Sequence, residues 1–363
     1  MAIRSFGIDG SIMRWGRSTL LLLLGACTSA DRFPDACTDD AVFAGTPPAA
    51  HDSATVTELW RVGGGSDAQL AMPLPLAIST TGRAAIADFM LGVVYVVEPD
   101  GTWRGHIARR GSGPGELSSP VAVVWDTAGS LYVYDLTRPA IIRFASDLSH
   151  VDERRVESMT AAAIYARGSL EWAGVQPSGA TVFLPGPEPA EPGVAIEVAL
   201  RVDPSGTRVD TLREGRLHVI EAGDRAGTEL PGQSKLSAAT GAGGVLGIIG
   251  GDAGWLVDIY DDGGSRSLRL CAAAPATPRR IVLGADGTIW VQREGRSPNP
   301  DMNRFYGEAG ATWDVFSRDG AYERTIAMPA AARLQGALGD TVWAYEVSEL
   351  DEVTLVAYRI DMR

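Results

Sequence analysis

Short apolar runs separated by glycine- and aspartate-centred turns recur along most of the chain. Thr81-Gly82-Arg83-Ala84-Ala85-Ile86-Ala87-Asp88 aligns with Ala128-Gly129-Ser130-Leu131-Tyr132-Val133-Tyr134-Asp135 at a spacing of 47 residues. Each is followed by a second apolar run, Val93-Val94-Tyr95-Val96-Val97 or Ala140-Ile141-Ile142-Arg143-Phe144. Both second runs end in turn residues, Glu98-Pro99-Asp100-Gly101 and Ala145-Ser146-Asp147. The pattern predicts a unit of four antiparallel strands, too thin to cover its own faces and therefore stacked on copies of itself. Further copies begin at Pro177-Ser178-Gly179, Gly243-Gly244-Val245, Ala285-Asp286-Gly287 and Leu338-Gly339-Asp340, which makes six. Their turn glycines, at 82, 129, 179, 243 or 244, 287 and 339, are spaced as propeller blades are, apart from a longer third step that must hold an insertion.

The fold expected is therefore all-β, a six-bladed β-propeller over residues 55–363. Room remains for three strands between Leu338 and Arg363, while Thr55-Val56-Thr57-Glu58-Leu59-Trp60-Arg61-Val62 stands unassigned ahead of the first unit. That N-terminal strand is predicted to close the last blade, which removes the open edges that invite aggregation. An open sandwich is the alternative reading of the same turns.

The hydrophobic pattern at the N-terminus is of another kind. Arg4, Arg14 and Arg17 precede the run Leu20-Leu21-Leu22-Leu23-Leu24, which leads into Gly25-Ala26-Cys27. A basic region, a short apolar region and small residues in that order define a signal peptide over residues 1–26, far shorter in its apolar part than the ~20 residues of a membrane-spanning helix. Met13-Arg14-Trp15-Gly16-Arg17 also makes a compact basic start, which leaves Met1 and Met13 as alternative start codons. Leu24-Gly25-Ala26-Cys27 resembles the bacterial lipobox, a resemblance that implies acylation of Cys27 and a membrane partner through the lipid. Thr28, in place of aspartate, points to outer-membrane delivery in a two-membrane host, with the protein in the cell envelope facing periplasm or exterior. Residues 27–54, rich in Ser, Thr, Asp, Ala and Pro, read as a flexible tether from the lipidated cysteine to the domain.

With Cys27 acylated, Cys37 and Cys271 are left, a pair that in an exported chain either closes a disulfide or remains as two thiols. The chain carries a net charge of −13. Removal of Arg4, Arg14 and Arg17 with Asp9 brings the mature form to about −15, which argues against nucleic acid as a ligand.

Gly111-Ser112-Gly113-Pro114-Gly115-Glu116-Leu117-Ser118-Ser119-Pro120, followed by Val121-Ala122-Val123-Val124-Trp125-Asp126 and the two strands already quoted, resembles an NHL-type repeat. The resemblance covers roughly residues 70–150 and implies a six-bladed propeller. NHL-like propellers include protein-binding modules, sugar-associated lipoproteins and some enzymes, and the fold does not choose among them.

The chemistry-bearing residues favour binding over catalysis. The Gly-Pro-Gly segment lacks the lysine and Ser/Thr of a phosphate loop and precedes a strand, so it reads as an interblade turn. The glycines between 241 and 254 miss the dinucleotide fingerprint. Four histidines, His51, His106, His150 and His218, are scattered too widely for a three-histidine zinc site. Asn299 and Asn303, the chain's only asparagines, cannot be distributed over blades as a lactonase-type metal site would need, and Arg304 stands where a calcium loop turns on glycine. No Gly-x-Ser-x-Gly elbow occurs. No catalytic residue, metal ligand or cofactor is therefore assigned.

In a propeller the loops between second and third strands gather around the channel mouth. Here they comprise Thr137-Arg138-Pro139, residues 185–193 and residues 293–311. Arg138, Arg293, Arg296, Arg304 and Tyr306 form the candidate ligand-binding set, presenting guanidinium and aromatic groups to a protein, peptide or sugar ligand. The plainer reading is a solvated loop whose arginines balance nearby carboxylates. The function expected is a lipid-anchored extracytoplasmic binding or scaffold protein. The alternative is a lactonase-like propeller hydrolase or lyase with a carboxylate-bound divalent metal at the channel mouth.

Overall fold

Runs such as Ala84–Asp88, Thr181–Pro185 and Leu246–Gly250 are covered at every position, so both of their faces must be packed rather than one. In the computed structural model each is the second strand of a sheet wedged between two neighbouring sheets. The structure describes residues 41–43, 54–63, 69–156, 170–191, 194–222, 225–229, 236–250, 255–272, 280–294 and 306–361.

In chain order, β1 (Val42–Phe43) and β2 (Thr55–Gly63) precede the first blade. Blade 1 contains β3 (Pro73–Ile78), β4 (Ala84–Asp88), β5 (Val93–Val97) and β6 (Trp103–His106). Blade 2 contains β7 (Pro120–Trp125), β8 (Leu131–Asp135), β9 (Ala140–Phe144) and β10 (His150–Arg155). Blade 3 contains β11 (Leu170–Val175), β12 (Thr181–Pro185), β14 (Val194–Val202) and β15 (Val209–Ala222), with β13 (Glu188–Glu191) and β16 (Arg225–Glu229) added. Blade 4 contains β17 (Ser237–Thr240), β18 (Leu246–Gly250), β19 (Trp255–Tyr260) and β20 (Arg266–Ala272). Blade 5 contains β21 (Ile281–Leu283), β22 (Ile289–Glu294), β23 (Thr312–Phe316) and β24 (Tyr322–Ala327). Blade 6 contains β25 (Ala332–Leu338), β26 (Thr341–Val347) and β27 (Val353–Asp361), and its fourth strand is β2.

Each blade is an antiparallel meander, and the first strands β3, β7, β11, β17, β21 and β25 neighbour one another in a closed ring around the axis. Among the described residues the buried apolar side chains fall into six clusters, one for each junction between adjacent blades. The large aromatics sit there, with Trp125, Trp290, Trp313 and Trp343 almost wholly enclosed. Fourth strands such as β6 and β10 are largely exposed, because only one flank of each is packed.

The turn glycines from which the repeat was read all stand between first and second strands, with φ from 58° at Gly339 to 90° at Gly179. That left-handed geometry is what a tight turn asks of the residue and what a side chain resists. The long third step holds the extended β14–β15 hairpin with β13 and β16. The predicted closure is also present, since β2 pairs antiparallel with β27 from Thr55↔Asp361 to Gly63↔Thr354. Within the expected tether, Val42–Phe43 lies parallel to β20 and Ala54 bridges Ile326 of β24. The segment is thus held at two points along the outer edges of blades 4 and 5.

Candidate functional site

Strand direction decides which residues can meet at the channel mouth. A first strand begins, and a second strand ends, at the same end of each sheet, so the turns between second and third strands lie there too. In blade 5 the pairing Ile281↔Val291 places Arg280 beside Gln292, whose backbone N–H donates to the Arg280 carbonyl at 2.9 Å. In blade 6, Arg333 lies opposite Tyr345.

These residues join in a polar network across the junction. Arg280 Nη2 donates to Gln335 Oε1 at 3.0 Å. Gln335 Nε2 donates in turn to the Tyr306 carbonyl at 2.6 Å and the Arg333 carbonyl at 3.0 Å. Arg333 donates to the Gly307 carbonyl, and Gln292 Nε2 donates to Glu308 Oε2 at 3.1 Å. The Tyr306 ring meets Tyr345 edge-on at 5.6 Å, and the Tyr345 hydroxyl reaches blade 1 by donating to the Leu74 carbonyl at 3.2 Å. The network therefore draws on blades 5, 6 and 1.

Its electrostatics follow from enclosure. Burial disfavours the charged form of each group. It pushes Arg280 down to about 10, a shift that the neighbouring Arg333 charge reinforces. Burial lowers Arg333 as well, opposed by the charge of Glu308. Tyr306 is pushed up to about 12 and Tyr345 well above its ordinary value, again chiefly by burial. The tyrosines stay neutral donors at any ordinary pH.

Of the residues expected at the mouth, Tyr306 belongs to this network. Arg138 is engaged elsewhere, 2.9 Å from Glu153 and donating to the Gly113 carbonyl at 3.2 Å, so it braces the Gly-Pro-Gly turn. Arg293 forms an ion pair with Asp314 at 3.0 Å inside blade 5, both side chains nearly enclosed. Arg296 and Arg304 lie outside the described residues, as do Cys27, Cys37 and the Asn299–Asn303 run. Cys271, buried on β20, is disulfide-bonded. The Gly-Pro-Gly turn folds onto its own carboxylate, with Glu116 Oε2 accepting from the Gly113 N–H at 2.8 Å and Oε1 lying 2.6 Å from Arg109.

Arg280, Gln292, Glu308, Arg333 and Gln335 were not singled out from sequence. One signal was available: Arg333 and Gln335 interrupt an otherwise apolar first strand, and Gln335 falls at a β-bulge between Leu334 and Gly336. Two carboxylates near the mouth, Asp88 and Asp135, are committed to backbone, while Glu308 accepts from the Gln292 side chain. Asp88 accepts from the N–H groups of Ala71, Met72 and Leu91, and Asp135 from those of Ser118, Ser119 and Arg138. Among the described residues no three His, Cys, Asp or Glu side chains are grouped to hold a metal ion. On the opposite face a cleft of about 490 Å³ between blades 1 and 2 is lined by Arg83, Glu98, Arg104, Ser146, Asp147 and Leu148. Its charges pair with one another, Glu98 lying 3.4 Å from Arg83 and 3.1 Å from Arg104.

The ring of six sheets, each built on a four-stranded meander, defines the class, a six-bladed β-propeller. No protein-family model matches the chain, and no curated protein does. Several solved structures are similar in outline. A nominally exported protein of Bacteroides fragilis NCTC 9343 is 10% identical with a TM-score of 0.46, over 89% of this chain and 100% of that one. A gluconolactonase of Xanthomonas campestris is 15% identical with a TM-score of 0.40, over 84% of this chain and 90% of that one. A virginiamycin B lyase of Staphylococcus aureus is 14% identical with a TM-score of 0.42, over 83% and 99%. At such identities no activity is carried over. No described helix is long and apolar enough to cross a membrane.

Proposed function

We propose that this protein is a lipid-anchored, extracytoplasmic binding or scaffold protein that takes its ligand at the channel mouth where blades 5, 6 and 1 meet. The observation that carries this reading is the polar network of Arg280, Gln292, Tyr306, Glu308, Arg333 and Gln335, set into an otherwise apolar ring of first strands. Polar groups in so enclosed a place cost stability unless they are satisfied, and a few convergent polar groups in an apolar frame are what orient a ligand. A hydrolase or lyase would instead need uncommitted carboxylates from several blades. Asp88 and Asp135 are spent on backbone N–H groups.

The anchor in this proposal is the acylated Cys27, and Cys37 is the disulfide partner of Cys271. That bridge joins the tether to β20, beside which Val42–Phe43 already runs. Two measurements test the proposal. Full-length protein should partition with membranes, and Cys27→Ser should release it to the soluble fraction; retention of the variant would refute the anchor. A thermal-shift screen with sugars, sugar acids and short peptides should find a stabilising ligand whose effect Gln335→Leu removes. A stabilising divalent metal with no organic ligand would favour the enzyme instead.

A further inference from the structure

Most enclosed arginines among the described residues meet a carboxylate or two oxygen acceptors, whereas Arg280 meets one. Arg269 lies 2.6 Å and Arg213 3.3 Å from Asp258, and Arg293 lies 3.0 Å from Asp314. Arg201, which has no carboxylate, donates to Gln176 Oε1 and to the Asp262 carbonyl, both at 3.0 Å. Arg280 has a single hydrogen bond, from Nη2 to the neutral amide of Gln335, and no carboxylate within ion-pair distance among the described residues. Besides the Tyr345 hydroxyl, the charged group that acts on it is another cation, Arg333. Its surroundings nevertheless make room for it. Gly307, at φ +80°, lies against the guanidinium, and a Cβ there would collide with Arg280 Nη1. The residue as a whole is intermediate in burial and not wholly enclosed.

We propose that Arg280 is the recognition residue for a small carboxylate ligand, whose oxygens take the place that an aspartate occupies beside Arg213, Arg269 and Arg293. This rests on the channel-mouth binding reading. A planar guanidinium with one edge tied to Gln335 keeps its remaining N–H groups for a second planar partner, and a carboxylate matches that geometry with two parallel hydrogen bonds. Arg333, across the junction, is balanced by the charge of Glu308, so the attraction for an anion is assigned to Arg280. In a partly enclosed site the gain is larger than at an exposed surface, because the pair is less screened.

The carboxylate could belong to a sugar acid or to the C-terminus of a small acylated amino acid, and matched pairs separate the two. Binding of D-galacturonate against D-galactose, and of N-acetyl-L-leucine against its amide, would be measured by calorimetry on the full chain in detergent. In at least one pair the acid should bind about tenfold or more tighter than its neutral partner, and Arg280→Met should abolish that preference while Arg280→Lys keeps part of it. Equal binding of acid and neutral partner, or a preference that survives Arg280→Met, overturns the proposal, as does failure of both acids to bind at millimolar concentration. Neutral sugar or amide binding in that case would leave the channel-mouth reading standing without the carboxylate. A second readout needs no ligand. Without its cation the unliganded Arg280→Met protein should melt no lower than the parent, whereas a purely structural Arg280 would require it to melt lower.

Discussion

Asp88 and Asp135 end the second strands of successive repeats, and each side chain gathers backbone N–H groups that no strand ladder satisfies. The acceptor sits where a first strand enters the blade and the next turn leaves it, so one carboxylate ties both. An isolated N–H in a buried place costs free energy, and three are at stake around Asp135. Asp135→Ala should therefore lower stability by about 2–4 kcal/mol in urea unfolding. Asp135→Asn, which keeps one oxygen acceptor, should lose less. An equal loss in both variants would show that charge rather than hydrogen bonding holds the turn.

At the scale of the element, the closing strand β2 shows how one segment joins two blades. Besides its ladder with β27, it carries Trp60, whose Nε1 donates to the Pro99 carbonyl at 2.9 Å. The ring lies over Gly101, where a Cβ would stand 2.8 Å from Trp60 Cγ, so the turn of blade 1 must present a bare backbone. Trp60→Ala removes this clasp and leaves a half-buried hollow, with an expected loss of about 2 kcal/mol in urea unfolding. A loss near zero would mean that the ladder alone closes the ring. The tether is the converse case. Only Val42–Phe43 and Ala54 of its described residues pair with blades, too short a stretch to leave a period in the sequence.

Across the whole molecule, enclosure between blades sets the response to alkali. Burial pushes Tyr95, Tyr132, Tyr260, Tyr306, Tyr345 and Tyr358 above the ordinary tyrosine value of 10. A raised folded-state value means that the native protein holds protons which the unfolded chain releases. The associated stability is complete below pH 10 and is lost as pH rises through the folded values, which for Tyr306 is about 12. Arg280, moved down to about 10, opposes this over the same window, as do Arg213 and Arg333, which burial also lowers, three groups against six. Urea unfolding should therefore show stability falling between pH 10 and about pH 12, with tyrosinate absorbance rising late and together with unfolding. Gradual tyrosinate formation centred on pH 10 in the native protein would contradict it.

What the sequence determined by itself is local or repeated. Six turns need a residue free to adopt left-handed φ, and glycine marks each of them. Second strands packed on both flanks read as unbroken apolar runs, and a leftover strand ahead of the first repeat has its complement in a last blade one strand short. The partners of charged side chains were decided only by the tertiary structure. Arg138, in the turn between β8 and β9, meets Glu153 of β10, and Arg293 meets Asp314 across the β22–β23 pair. Arg280 and Gln335, 55 residues apart, meet because blade 6 closes against blade 5. An arginine is equally at home in solvent or against any carboxylate, so its local sequence carries no record of which neighbour the closed ring supplies.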